Sequence, residues 1–138
     1  RAVRPGGGGG VEGALGYAGR GGRCGEPSGD FQGSEWKLAD MATELAASRA
    51  LTYRGAVNAQ EHDRIPDRLD TSIAKLYASE MVESVTSEAL QIHGANGYVE
   101  DHPLSYLYRW IRGWRIAGGT VETQRNGIAG ELKKYGLD

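Results

Sequence analysis

Two short stretches hold the residues whose types and spacing suit chemistry: Gln91-Ile92-His93-Gly94-Ala95-Asn96-Gly97-Tyr98 and Gly118-Gly119-Thr120-Val121-Glu122-Thr123-Gln124-Arg125-Asn126. A glycine turn that closes one helix and another that opens the next bring backbone N–H groups close to a phosphate-bearing cofactor. Taken alone, Gly94 and Gly97 read as ordinary helix-ending glycines. The second stretch turns the reading towards a bound cofactor.

Other reactive side chains offer less. His62, His93 and His102 have no Cys or carboxylate spacing that suggests a metal site. Cys24 beside Arg23 suits a thiolate of lowered pKa, but no base accompanies it. Trp36, Trp110 and Trp114 read as core or interface aromatics rather than stacking platforms. Glu122 reads as a first-turn acid favoured by the helix dipole rather than as a catalytic base.

At 138 residues the chain supports one domain with a core of its own. Its 16 basic and 18 acidic residues are spread along the chain and sum to −2, which leaves no basic stripe for nucleic acid. A single cysteine cannot form an internal disulfide, and no apolar run approaches the length needed to span a bilayer. The default expectation is a soluble, reducing compartment: the cytoplasm, or the mitochondrial matrix in a eukaryote. The chain opens on Arg1 rather than methionine, so its beginning is expected to be missing and no targeting segment is argued.

The elements that must position the two stretches follow from glycine content and periodicity. Residues 1 to 33 hold 13 of the 22 glycines. Each interior glycine costs a helix roughly 1 kcal/mol against alanine, so Gly6 to Gly10 alone would remove about 4 to 5 kcal/mol. Residues 1–30 therefore read as a degraded or flexible first helix, and 31–138 as a helical bundle. Leu38, Met41, Ala42 and Leu45 predict a helix from about 34 to 60. After the Pro66 connection, Asp70 or Thr71 caps a second helix. It carries Ile73, Leu76, Tyr77, Val82, Val85, Ala89 and Ile92 on one stripe and ends at Gly94 in a left-handed cap. A short helix spans Leu104 to Arg112, and Thr120, with Thr123 or Gln124 behind it, opens a last one to about Tyr135. Four helices with short loops indicate an all-α, antiparallel four-helix bundle.

The two glycine stretches resemble the C-terminal domain of the FAD-dependent acyl-CoA dehydrogenases, whose members read roughly Q-I-x-G-G-x-G-Y and then Y-E-G-T-S-E-I-Q-R-N. The resemblance runs from about Phe31 to Tyr135. Phe31-Gln32 and Lys37-Leu38-Ala39-Asp40-Met41-Ala42 are similar to the family's F-Q-x-x-x-x-K-L-A-D-M-A, and Ser72 to Glu80 to its A-K-x-x-A-S-E. The resemblance implies that Gln91, Ile92, His93, Gly94 and Ala95 touch the ADP half of an FAD held by a neighbouring subunit. It places Thr120, Val121 and Glu122 on the chain's own flavin, Gly119 on the substrate path, and Phe31 and Gln32 among the cofactor contacts.

The departures bear on chemistry. The family's reaction removes an α-proton from an acyl thioester with a carboxylate while the β-hydrogen leaves as hydride to flavin. In common members the carboxylate is the glutamate of E-G-T, and here that position is Gly118, so no catalytic base is visible. A branch that includes isovaleryl- and long-chain-type enzymes takes its glutamate from an E-R pair on the preceding helix. If Arg4-Pro5 represents that pair, Arg4 faces substrate and Val3 occupies the glutamate's place; in an ungapped alignment the place lies before Arg1. Nearer the flavin, the family's pyrophosphate-binding arginine falls on Gly21 and its flavin-packing phenylalanine on Cys24. Losing a guanidinium–phosphate contact costs about 1.5 to 3 kcal/mol, for which Arg23 compensates in part. The family's Y-R-D-A-R reads Tyr108-Arg109-Trp110-Ile111-Arg112, which removes an acidic partner.

The resemblance thus implies a C-terminal fragment of an enzyme that oxidises an acyl-CoA at Cα–Cβ to a 2-enoyl-CoA with FAD, in fatty acid or amino acid catabolism. It implies electron transfer to an electron-transfer flavoprotein and a homodimer or homotetramer. Without the helical N-terminal and β domains of the family, the chain alone is expected to be inactive. Two alternatives fit the missing base: a non-catalytic helical subunit that completes another chain's flavin site, and a desulfinase or oxidase on the same fold.

Overall fold

A computed structural model describes residues 7–20, 22–23, 26–27, 32–61 and 65–136. The described chain is all-α apart from a two-residue antiparallel bridge of Gly22–Arg23 (β1) with Glu26–Pro27 (β2). Its helices are α1 (Gly7–Ala18), α2 (Gln32–Glu61), α3 (Arg68–His93), α4 (Ala95–Tyr98), α5 (Pro103–Arg112) and α6 (Val121–Tyr135), with a 3₁₀ turn over Gly113–Arg115.

Helix α3 is the axis, with α1, α2, α5 and α6 packed around it. Two ion pairs set the register of the α2–α3 hairpin: Lys37 with Glu88 at one end and Arg54 with Asp70 at the other. These pairings make the two helices antiparallel. Helix α6 runs against the first half of α3, from Arg125 beside Glu80 to Glu131 beside Arg68, and Arg112 at the end of α5 reaches Glu83. Ala14, Met41, Met81, Val85, Ala89 and Leu104 form the core, with Leu38, Leu45, Tyr77, Val82, Leu90, Ile92 and Leu107 packed on it. The predicted stripes supply most of these residues. Ala42 alone among the α2 positions falls on the exposed side.

The structure sharpens one local expectation and corrects two. First, α1 forms in the glycine-rich segment. Ala14 and Ala18 are 0% and 2% exposed, and burial of this face outweighs a poor propensity, because most helical stability in proteins comes from packing. Second, Asp67 rather than Asp70 or Thr71 caps α3, its carboxylate accepting from the N–H groups of Leu69 at 2.8 Å and Asp70 at 3.3 Å. Asp70 is drawn inside, where it accepts from Arg54 at 2.6 Å and Asn58 at 2.7 Å. A buried carboxylate needs such partners more than the helix needs a second cap. Third, Gly94 has φ 57° but ψ −140°, outside the left-handed helical basin. Its N–H still closes on Leu90 and Gln91, while its carbonyl already accepts from Gly97 in α4.

Candidate functional site

At the C-terminal end of α3, the sharp bend at Gly94 separates two sets of side chains. Gln91, Gly94 and Ala95 line an open groove of about 440 Å³, completed by Ser87, Leu90, Tyr98 and Tyr108. A side-chain carbon at Gly94 would meet nothing within 4 Å, so backbone is exposed directly to this space. Ile92 and His93 turn the other way. Ile92 packs on the core, and His93, 7% exposed, stacks on Tyr17 and meets the tilted ring of His102 at a centroid distance of 5.1 Å. Its Nδ1 bonds the Ala89 carbonyl at 2.8 Å, and Gly97 presses so closely that a side-chain carbon there would lie 2.8 Å from His93 Cβ. These two residues shape the turn from beneath rather than lining the groove.

The second stretch stands beside the first half of α3. Gly118 and Gly119 have φ 66° and 86°, conformations that L side chains rarely adopt, which is the local reason for two successive glycines. Thr120 caps α6, its hydroxyl accepting from the Thr123 N–H at 3.3 Å, and Val121 is buried. Glu122 is exposed, and its own backbone N–H and then the Thr120 hydroxyl hold its carboxyl below the usual carboxylate range. A carboxylate shifted that way is a weaker proton acceptor, which counts against Glu122 as a base. Arg112 pairs with Glu83 at 3.3 Å; Arg115 joins Glu83 to Glu80, and Glu80 meets Arg125. This chain of charges ties α5, the 3₁₀ turn and α6 to α3.

The two stretches do not converge. From Glu80, beside the start of α6, to Gly94, α3 climbs about 20 Å at roughly 1.5 Å per residue. Of the remaining expected contacts, Gln32 is the exposed first residue of α2, and Arg23 pairs with Glu26 in the small bridge. Arg4, Cys24 and Phe31 lie outside the described residues, as does Gly21. Ser87, Leu90 and Tyr108 were missed by sequence reasoning. Ser87 stands one turn before Gln91 on the same helix face, a spacing that would have found it; Tyr108 is brought in by α5 and has no such signal.

Among the described residues no group of three His, Cys, Asp or Glu side chains is placed to hold a metal ion, and no helix is long and apolar enough to cross a membrane.

A family profile described as "Acyl-CoA dehydrogenase, C-terminal domain" matches residues 7–133. This chain belongs to the acyl-CoA dehydrogenase C-terminal domain family. Within that family, the chain is 41% identical over 119 residues to the 3-sulfinopropanoyl-CoA desulfinase of Paraburkholderia xenovorans, a match covering 86% of this chain and 30% of that protein. It superposes on the butyryl-CoA dehydrogenase of Megasphaera elsdenii with TM-score 0.87 and 35% identity, covering 92% of this chain and 33% of that one. An FAD complex of PigA superposes with TM-score 0.83 and 26% identity over 92% of this chain and 33% of the other. The chain thus spans about a third of the length of the acyl-CoA dehydrogenase relatives it matches. The match begins at residue 7, inside the glycine-rich segment, so α1 belongs to the family domain as well.

Proposed function

We propose that this chain is the C-terminal helical bundle of a larger FAD-dependent enzyme acting on acyl-CoA thioesters, and that it contributes two half-sites to flavin binding. The observation that carries the reading is the separation of the two glycine stretches along α3, each open to solvent among the described residues. The groove at Gly94 would take the ADP half of an FAD from a neighbouring subunit, and the Gly118–Glu122 loop would face the chain's own flavin and substrate. The donor set suits this: an exposed glycine backbone, the Gln91 amide and the Tyr98 and Tyr108 rings offer an adenine both hydrogen bonds and flat apolar surface.

When bound, FAD supplies the hydride acceptor. The chain's own residues bind and orient. Thr120 fixes the first turn of α6, Gly118 and Gly119 let the backbone approach closely, and the Gln124 amide reaches the carbonyls of both glycines. No side chain at position 118 takes the α-proton, so in an oxidation at Cα–Cβ the carboxylate comes from elsewhere in the complete enzyme, and electrons pass on to an electron-transfer flavoprotein. The same gap supports a second reading, desulfination of a sulfinoacyl-CoA, favoured by the likeness to a 3-sulfinopropanoyl-CoA desulfinase.

The test is to purify the full-length protein that contains this chain, record its flavin spectrum and assay it with butyryl-CoA, isovaleryl-CoA and 3-sulfinopropanoyl-CoA. Acyl-CoA-dependent bleaching of the flavin supports dehydrogenation, and sulfite release supports desulfination. A protein without flavin, or inert to all three thioesters, sinks the proposal. The 138-residue chain alone is expected to turn over none of them.

A further inference from the structure

Lys75, the lysine of the A-K-x-x-A-S-E match on α3, extends its side chain towards the 3₁₀ turn that precedes the double-glycine loop. Its Nζ donates to the carbonyl oxygen of Trp114 at 2.6 Å and to the hydroxyl of Ser79 at 2.8 Å. That hydroxyl in turn donates to the Lys75 carbonyl at 2.7 Å, which fixes Ser79 as an acceptor for the ammonium. The ammonium also stands 5.9 Å from the centroid of the Trp114 ring. Further along the stem, a side-chain carbon built on Gly118 would lie 3.8 Å from Lys75 Cε.

The double-glycine segment that follows the Lys75–Trp114 bond needs an external hold. Two successive glycines with positive φ lose more conformational entropy on ordering than any other pair. The loop's other side-chain anchor is Gln124, whose Nε2 reaches the carbonyls of Gly118 at 3.5 Å and Gly119 at 3.3 Å. Those contacts are long and neutral, whereas the Lys75–Trp114 bond is short and charge-assisted, the stronger kind. It also joins α3 to the backbone immediately before the loop, a link that nothing within α6 can make.

We propose that Lys75 is a positioning residue: a cationic strut that sets the height of the Gly118–Thr120 backbone against α3 and so the placement of substrate and flavin beside it. The link to substrate and flavin rests on the function proposed above; the strut itself does not.

The experiment compares Lys75→Met and Lys75→Arg with the unaltered protein, first in the 138-residue chain by ¹⁵N–¹H NMR. In Lys75→Met the amide resonances of Gly118 and Gly119 are expected to shift while those of Gly94 and Gly97 stay in place, with helix content retained. Lys75→Arg, which keeps a charged donor, should return them part of the way. In the full-length protein, Lys75→Met is expected to lower kcat about tenfold with KM for the acyl-CoA within about twofold and flavin content unchanged, as a misplaced loop predicts. Unshifted Gly118 and Gly119 amides in folded Lys75→Met overturn the proposal. Should Lys75→Met fail to fold, Lys75→Gln, a neutral donor, decides on the same amides. An unaltered full-length protein that is inert to every acyl-CoA removes the functional reading, while the amide shifts still decide on the strut.

Discussion

The phenol of Tyr17 lies nearly flat on the imidazole of His93, with ring centroids 4.2 Å apart and planes inclined by 26°. Tyr17 belongs to α1 and His93 is the last residue of α3, so the contact joins the glycine-rich segment to the end of the central helix. The Tyr17 hydroxyl also accepts a hydrogen bond from Asn96 Nδ2 at 2.9 Å. One side chain therefore braces both sides of the Gly94 turn.

Shortening that side chain should separate the two contacts. Tyr17→Phe keeps the ring and loses an exposed hydrogen bond, at a cost of about 0.5 to 1 kcal/mol. Tyr17→Ala also loses the stack and its buried area, at a cost of about 2 to 3 kcal/mol. Urea unfolding of the three proteins measures both steps; equal midpoints would mean that α1 is held by its alanines alone.

Acid should weaken the same region through His102. Its Nδ1 accepts from the Leu104 N–H at 3.2 Å and caps α5, which a ring protonated at Nδ1 cannot do. Burial, and then the neighbouring His93, lower its pKa from 6.5. The two histidines face each other, with Tyr17 on the far side of His93 and Glu100 and Asp101 preceding His102 in the loop. The unfolded chain takes up the proton near pH 6.5 and the folded chain only at lower pH. This contribution is therefore intact above pH 6.5 and is lost as pH falls through the folded pKa. Denaturation midpoints at pH 7.5 and pH 5 should differ less in His102→Asn, whose amide oxygen caps without titrating. An unchanged difference would assign the acid sensitivity elsewhere.

Glycine within α1 lowers its stability where no neighbour requires it. A side-chain carbon at Gly13 would meet nothing within 4 Å, and the position is helical. Gly13→Ala should therefore raise stability by about 0.5 to 1 kcal/mol. Thermal melts provide the check, and a lower Tm would show that the α1 described for this segment is not its folded state.

At Gly94 the opposite result is expected. Space is free for a methyl group, but φ 57° with ψ −140° is a region essentially confined to glycine. Gly94→Ala should cost about 1 to 3 kcal/mol through strain and fill part of the groove. If the groove receives adenine, full-length Gly94→Ala should also retain less FAD after gel filtration. Full flavin occupancy in a folded variant would remove Gly94 from the cofactor site.

The buried carboxylate of Asp70 should behave as a structural link. Asp70→Asn removes the charged acceptor that Arg54 and Asn58 share, and a loss of about 2 kcal/mol is expected, limited by the half-exposure of Arg54. A double-mutant cycle with Arg54→Met isolates the pair, and a coupling energy near zero would show that desolvation of Asp70 cancels the attraction.

Most of what the sequence settled is local. Apolar residues at helical spacing placed α2 and α3, because a helix repeats every 3.6 residues whatever lies beyond it, and the glycine breaks with the Thr120 cap set off α5 and α6. Thr120 could be recognised as a cap because its partner, the Thr123 N–H, is three residues away. The glycine pair at 118 and 119 likewise marks a positive-φ loop on its own. Where several residues competed for one local role, the tertiary structure decided. Asp67 and Asp70 are both competent caps, and only the approach of Arg54 and Asn58 from α2 draws Asp70 inside. Helix α1 could not be predicted from propensity, since the favourable term is burial of Ala14 and Ala18 against helices later in the chain. Within α3 the helical turn parts Gln91 from Ile92 and His93, and the bend at Gly94 brings Ala95 back to the groove that Gln91 lines. The bond from Lys75 to Trp114 spans 39 residues. Contacts of that range leave no periodic trace in a sequence, because their energy exists only once the two elements that make them have been packed side by side.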